Sequence, residues 1–97
     1  LQAIQQQLKD ARATGAAGGG MVTVEANGLS EVLAVKIDPA LVARGETEMI
    51  QDLTVAATNL ALEKAKELHI SAMKSLTGDV DMPGLQDMLA RMTGQNS

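Results

Sequence analysis

The sequence predicts an α+β fold in which a helix leads into an antiparallel hairpin, and a long helix and a short C-terminal helix follow. Three observations carry this. Met21 to Asp38 alternates apolar and polar residues with period two on either side of Asn27-Gly28, a dipeptide suited to a tight hairpin turn. From Thr47 to Leu76 no glycine or proline interrupts the chain, so one helix on the order of 45 Å is expected. Leu1 to Arg12 places Leu1, Ile4, Leu8 and Ala11 at helical spacing between glutamines, which reads as the end of an amphipathic helix.

Taken in order, the glutamine-rich helix is followed by Ala13 to Gly20, ATGAAGGG, which reads either as a flexible connector or as a short strand with a glycine turn. A phosphate-cradling loop is disfavoured, because no Lys-Ser/Thr follows and the next element is a strand. A two-residue Asn27-Gly28 turn of type I′ would set Ala26 opposite Leu29, Val24 opposite Glu31 and Val22 opposite Leu33. One face then collects Val22, Val24, Ala26, Leu29, Leu33, Val35 and Ile37, and the other carries Thr23, Glu25, Ser30, Val32 and Lys36. Glu31 does not fit its apolar face and is expected at a rim or beside a bulge.

Asp38 before Pro39 starts a short helical turn that Gly45 ends, and Thr47 is placed to cap the long helix. The apolar stripe of that helix runs through Ile50, Leu53, Ala57, Leu60 and Ala61, then slides to Ala65, Leu68, Ala72 and Leu76. The drift suggests that the first half packs on the sheet and the second half meets another chain. Beyond the turn-rich Asp79 to Gly84, residues Leu85, Met88, Leu89 and Met92 form the apolar edge of a helix over 85–92 that is too short to persist without docking.

The totals bound the function. The chain has 97 residues, 45% apolar yet none aromatic, so it reads as one small domain with a core of small side chains. Oligomerisation is the natural remedy for such a marginal core. The chain opens at Leu1 rather than methionine, so the natural sequence is expected to extend beyond it. With no cysteine, disulfides and thiolate metal sites are excluded. No apolar run approaches a membrane span and no signal peptide is visible, so a soluble intracellular protein without membrane contact is expected.

Enzymatic readings find no support. His69 is the sole histidine and lies mid-helix between Leu68 and Ile70, with no second ligand for a metal. Glu63 and Glu67 stand one turn apart beside Lys64 and Lys66, as on a solvated helix face, and Ser71, Ser75 and Thr77 have no evident base. No catalytic residue, cofactor, metal or small-molecule substrate is expected. Single-strand binding by base stacking is disfavoured without aromatic side chains. A net charge of −4 argues against a general polyanion binder.

Against that charge stands a resemblance. Gly20 to Gly28 (GMVTVEANG), Val35 to Val42 (VKIDPALV), Asp52 to Ala61 (DLTVAATNLA) and the Met82-Pro83-Gly84 tail, in this order, resemble the YbaB/EbfC family of nucleoid-associated proteins. The resemblance implies a cytoplasmic, nucleoid-bound bacterial or organellar protein with a three-stranded antiparallel sheet per subunit. Its first strand would lie near Ala13 to Ala17, and the subunits would form a tweezers-like homodimer. The implied function is non-enzymatic binding of duplex DNA through phosphate contacts and shape, with little base reading. With so few cations, Lys9, Arg12, Lys64, Lys66 and Lys74 are the DNA-binding candidates, each doubled by two-fold symmetry. Leu33, Val35, Ile37, Leu60, Leu68, Leu85, Met88, Leu89 and Met92 are candidates for dimer or partner contacts. The alternative is a dimeric protein-interaction adaptor that uses the C-terminal apolar edge and does not bind DNA productively.

Overall fold

The computed structural model describes residues 2–76. The expected helix bearing Leu85, Met88, Leu89 and Met92, with the Asp79 to Gly84 turn before it, lies outside the described residues. Six elements follow one another: α1 (Gln2–Asp10), β1 (Arg12–Ala17), β2 (Val22–Asn27), β3 (Val32–Ile37), α2 (Pro39–Ala43) and α3 (Thr47–Leu76). The strands form one antiparallel sheet in the order β1-β2-β3. Thus Ala13 to Ala17 belongs to a strand rather than a connector, although RATGAA is a poor strand by residue preference. Its small residues have a packing reason: Ala13 and Gly15 turn inward beneath α3.

At Gly15 the approach is extreme. A Cβ there would stand 2.2 Å from the Ala57 carbonyl oxygen and 2.5 Å from the Ala61 amide nitrogen, so backbone lies against backbone. The helix answers with alanines. Ala57, Ala61, Ala65 and Ala72 are its buried residues, and small side chains at these positions let α3 seat directly on β1 and β2. The core proper joins Val22, Val24 and Ala26 of β2 to Leu41 of α2 and to Ala57 and Ala61, with Ile37, Ile50, Leu53 and Leu62 packed around it.

In the second half of α3, Ala65 and Ala72 are buried within the chain itself, and α1 rests against the helix. The alanine spacing continues the same inward face past the sheet to α1. Leu60 and Leu76, also on the apolar stripe, are 42% and 48% exposed.

The hairpin closes differently from the type I′ expectation. Val22 pairs with Ile37 and Val24 with Val35, four residues beyond the predicted partners. An even shift leaves the side chains of β2, and those of β3 from Ala34 to Ile37, on their predicted faces, so the core face of β2 survives the error. The loop holds three residues, Gly28, Leu29 and Ser30, between the paired Asn27 and Glu31. Ser30 takes the left-handed conformation at φ 64°, as the last residue of such a loop requires, and Ser30 N–H donates to the Asn27 carbonyl at 3.1 Å.

Asn27 organises this loop. Its Oδ1 accepts from the N–H groups of Leu29 (2.9 Å) and Glu31 (3.1 Å), and its Nδ2 donates to Glu31 Oε1 at 2.7 Å. Glu31 is therefore exposed on the turn with a partner of its own, not opposite Val24. A bulge follows at Leu33, because Glu25 pairs with Ala34 while Ala26 pairs with Val32. The extra residue brings Val32 opposite buried Ala26, on the face where the regular alternation did not put it.

Gly28 is needed for approach rather than turn geometry. A Cβ would lie 2.8 Å from the carbonyl oxygen of Leu8, and the Gly28 N–H donates to that same oxygen at 2.7 Å. This bond pins α1 to the hairpin end through buried Leu8. At the other end Asp38 caps α2 as expected, its Oδ1 accepting from Ala40 N–H at 2.9 Å. Thr47 is the first residue of α3 and not its cap. The carbonyl of Glu46, one residue earlier, accepts from Ile50 N–H at 3.0 Å, which places the helix start there.

Candidate nucleic-acid interface

Two of the five candidate cations meet. Arg12 opens β1, Lys64 projects from α3, and both line an open groove of about 390 Å³ running between strand and helix, with Ala13, Thr14, Glu67, Leu68 and Ser71. Lys9 stands at the end of α1, one turn before Arg12, beside a polar recess formed with Gln2, Gln5 and Gln6. Arg12 and Lys64 thus share one groove, while Lys9 borders a separate recess and offers Arg12 its backbone carbonyl. Ser71 and Thr14 add hydroxyls that can accept or donate hydrogen bonds along the groove.

Arg12 has structural duties as well. Its Nη1 donates to the carbonyls of Lys9 and Ala11, each at 3.0 Å, satisfying acceptors that the end of α1 leaves open. Its Nε faces Glu25 Oε1 at 3.6 Å, an ion pair between side chains 49% and 45% exposed. Arg12 lies opposite Asn27 and Thr14 opposite Glu25, so the pair is a diagonal one across two strands. A contact this exposed is held loosely and is screened by salt.

Lys66 and Lys74, like Lys9, do not line the groove. At about 100° per residue, Lys66 lies about 200° around α3 from Lys64 and Lys74 about 80° in the opposite sense, both directed away from the buried alanines. Lys36 on β3 and Arg44 after α2 are exposed cations that the sequence reading left aside. Glu25 is the more consequential omission. A first strand near Ala13 to Ala17 without a register did not point to Arg12 as its partner, whereas a strand starting at Arg12 makes the pairing follow from register.

The apolar candidates divide likewise. Leu33, Val35 and Leu60 are 46%, 44% and 42% exposed, while Ile37 and Leu68 are half-buried, Ile37 against the core. Val32, at 45%, joins Leu33 and Val35 on β3 because α3 covers β1 and β2 and barely reaches the third strand. Among the described residues no group of three or more His, Cys, Asp or Glu side chains is placed to hold a metal. No helix among them is long and apolar enough to cross a membrane.

Comparison with known proteins places this geometry. A nucleoid-associated protein of Desulfotalea psychrophila is 48% identical over 90 residues, covering 93% of this chain and 85% of its own length. A nucleoid-associated protein of Clostridium novyi is 45% identical over 85 residues, covering 88% of this chain and 75% of its own. The crystal structure of an uncharacterized protein from Helicobacter pylori superposes with a TM-score of 0.70 at 28% identity, over 79% of this chain and 81% of that one. The model of the YbaB/EbfC DNA-binding family matches residues 1–80. A helix, a three-stranded antiparallel meander and a long helix in this order, with that match across most of the sequence, show that the chain belongs to the YbaB/EbfC DNA-binding family.

Proposed function

We propose that the chain binds duplex DNA as a homodimer in the bacterial nucleoid, through the phosphate backbone and duplex shape, with little base specificity and no catalysis. The observation that carries this reading is the meeting of Arg12 and Lys64 at one groove, with Lys9 at the end of the neighbouring α1, in a chain whose net charge is −4. A protein with so few cations must concentrate them, and a two-fold axis doubles each contact. No aromatic side chain is present to intercalate or stack, and the groove offers phosphate partners rather than a projecting recognition helix.

Each phosphate neutralised adds about −0.9 to the slope of log K against log salt, so two to six contacts per dimer give a slope of about −2 to −5. The slope is measured by mobility-shift titration on a mixed-sequence duplex. In the double variant Lys9→Glu, Lys64→Glu, affinity falls by more than about ten-fold and the slope flattens, with the circular dichroism unchanged. A slope near zero in the unaltered chain would overturn the phosphate reading and favour an adaptor role.

The homodimer is supported by β3, an edge strand whose Val32, Leu33 and Val35 stay about half exposed while the rest of the sheet is roofed by α3. A second copy would cover this apolar surface and complete a core made largely of alanine and valine. Val35→Asp sets a carboxylate in the middle of that surface. Sedimentation velocity at micromolar concentration is expected to report a dimer for the unaltered chain and a folded monomer for the variant; an unchanged dimer would move the interface elsewhere.

A further inference from the structure

We infer that Glu25 limits the affinity for DNA by competing with phosphate for the Arg12 guanidinium. The inference rests on the duplex-DNA reading above. A guanidinium grips an oxyanion with two parallel N–H groups, either across its two terminal nitrogens or along the edge shared by Nε and one terminal nitrogen. Here Nη1 is committed to the Lys9 and Ala11 carbonyls, each at 3.0 Å. That leaves the Nε and Nη2 edge as the one a phosphate can take in two-pronged fashion. Glu25 Oε1 stands 3.6 Å from Nε, on that edge.

The arrangement is suited to displacement. At 3.6 Å, with side chains 49% and 45% exposed, the carboxylate screens the cation without locking it. The Lys9 and Ala11 carbonyls meanwhile hold the guanidinium in place, so it need not be reordered when phosphate arrives. The cost of binding at Arg12 is then set by expelling Glu25. Glu25 acts through Arg12 and is a positioning residue for it, not a DNA contact.

The test is a mutant cycle read by mobility shift on the same duplex at low and physiological salt. Glu25→Gln is expected to tighten binding roughly two- to five-fold at low salt and to steepen the salt slope. Glu48→Gln, which removes the same charge from the first turn of α3, serves as the control for general repulsion. In an Arg12→Gln background the gain from Glu25→Gln should shrink to that of the control, and likewise in Arg12→Lys, which keeps the charge but lacks the two-pronged edge. Thermal melts of all variants separate lost folding from lost binding. A Glu25→Gln gain no larger than that of Glu48→Gln, or one that persists undiminished without Arg12, overturns the inference while leaving the DNA reading intact. Absence of salt-sensitive binding by the unaltered chain overturns both.

Discussion

Gly15→Val is expected to leave the chain unfolded at 25 °C, with the helical signal in far-ultraviolet circular dichroism lost and no cooperative thermal transition. The first added carbon would sit 2.2 Å from the Ala57 carbonyl oxygen, 2.5 Å from the Ala61 nitrogen and 2.9 Å from the Leu60 Cβ. Two of these are backbone atoms of α3, which cannot rotate aside as a flexible side chain could. Relief requires lifting the helix from β1, and with it the contacts of Ala57 and Ala61 to Val22 and Val24. Overpacking a core by a methyl group or two ordinarily costs about 1–3 kcal/mol, and a clash against fixed backbone exceeds that range. Small domains hold only about 5–15 kcal/mol in total, and an alanine core falls toward the lower end. Gly15→Ala should retain a transition at a much lower midpoint, which orders the two variants by size.

Leu41→Ala has the second largest expected effect, by the opposite mechanism. Leu41 is the largest fully buried side chain among the described residues and the one contribution of α2 to the core. Truncation leaves a cavity in the cluster that Leu41 shares with Val22, Val24, Ala57 and Ala61. The loss is about 2–5 kcal/mol. In a domain of this size that lowers the melting midpoint by about 10 °C or more. Urea denaturation should show a lower midpoint with an unchanged slope, and Leu41→Met, which keeps the volume, should cost less than about 1.5 kcal/mol. An unchanged midpoint for the alanine variant would mean that α2 is not part of the cooperative core.

Much of this interior is legible in the sequence, and the exceptions share a cause. Val22, Val24 and Ala26 are identified as one buried face because period-two alternation survives any even error in register. The uninterrupted stretch to Leu76 fixes α3 without reference to the sheet. The turn fails because Asn27-Gly28 satisfies two local preferences at once. Asn27 serves as the hydrogen-bonding post of a three-residue loop, and Gly28 makes room for Leu8, a residue twenty positions earlier. Likewise Ala13 and Gly15 look like linker residues until a helix backbone is laid upon them. Residues selected for closeness to a distant segment carry no local signature. The same holds for the candidate interface: Arg12 and Lys64 are visible as cations, but their shared groove and the Glu25 pairing exist only once β1 and α3 are placed.

The bulge at Leu33 has a bearing on how far self-association can run. An edge strand with apolar side chains invites further strands to add to it without limit, the route by which sheets grow into fibres. In β3 the irregularity at Leu33 leaves an unbroken ladder of only Ala34 to Ile37 for an incoming strand to match, and Asp38-Pro39 turns the chain away immediately after. Pairing over so short a stretch gives little reward for each added molecule. In the proposed homodimer the edge would thus receive one neighbour by side-chain contact while being too short and kinked to template a succession of them.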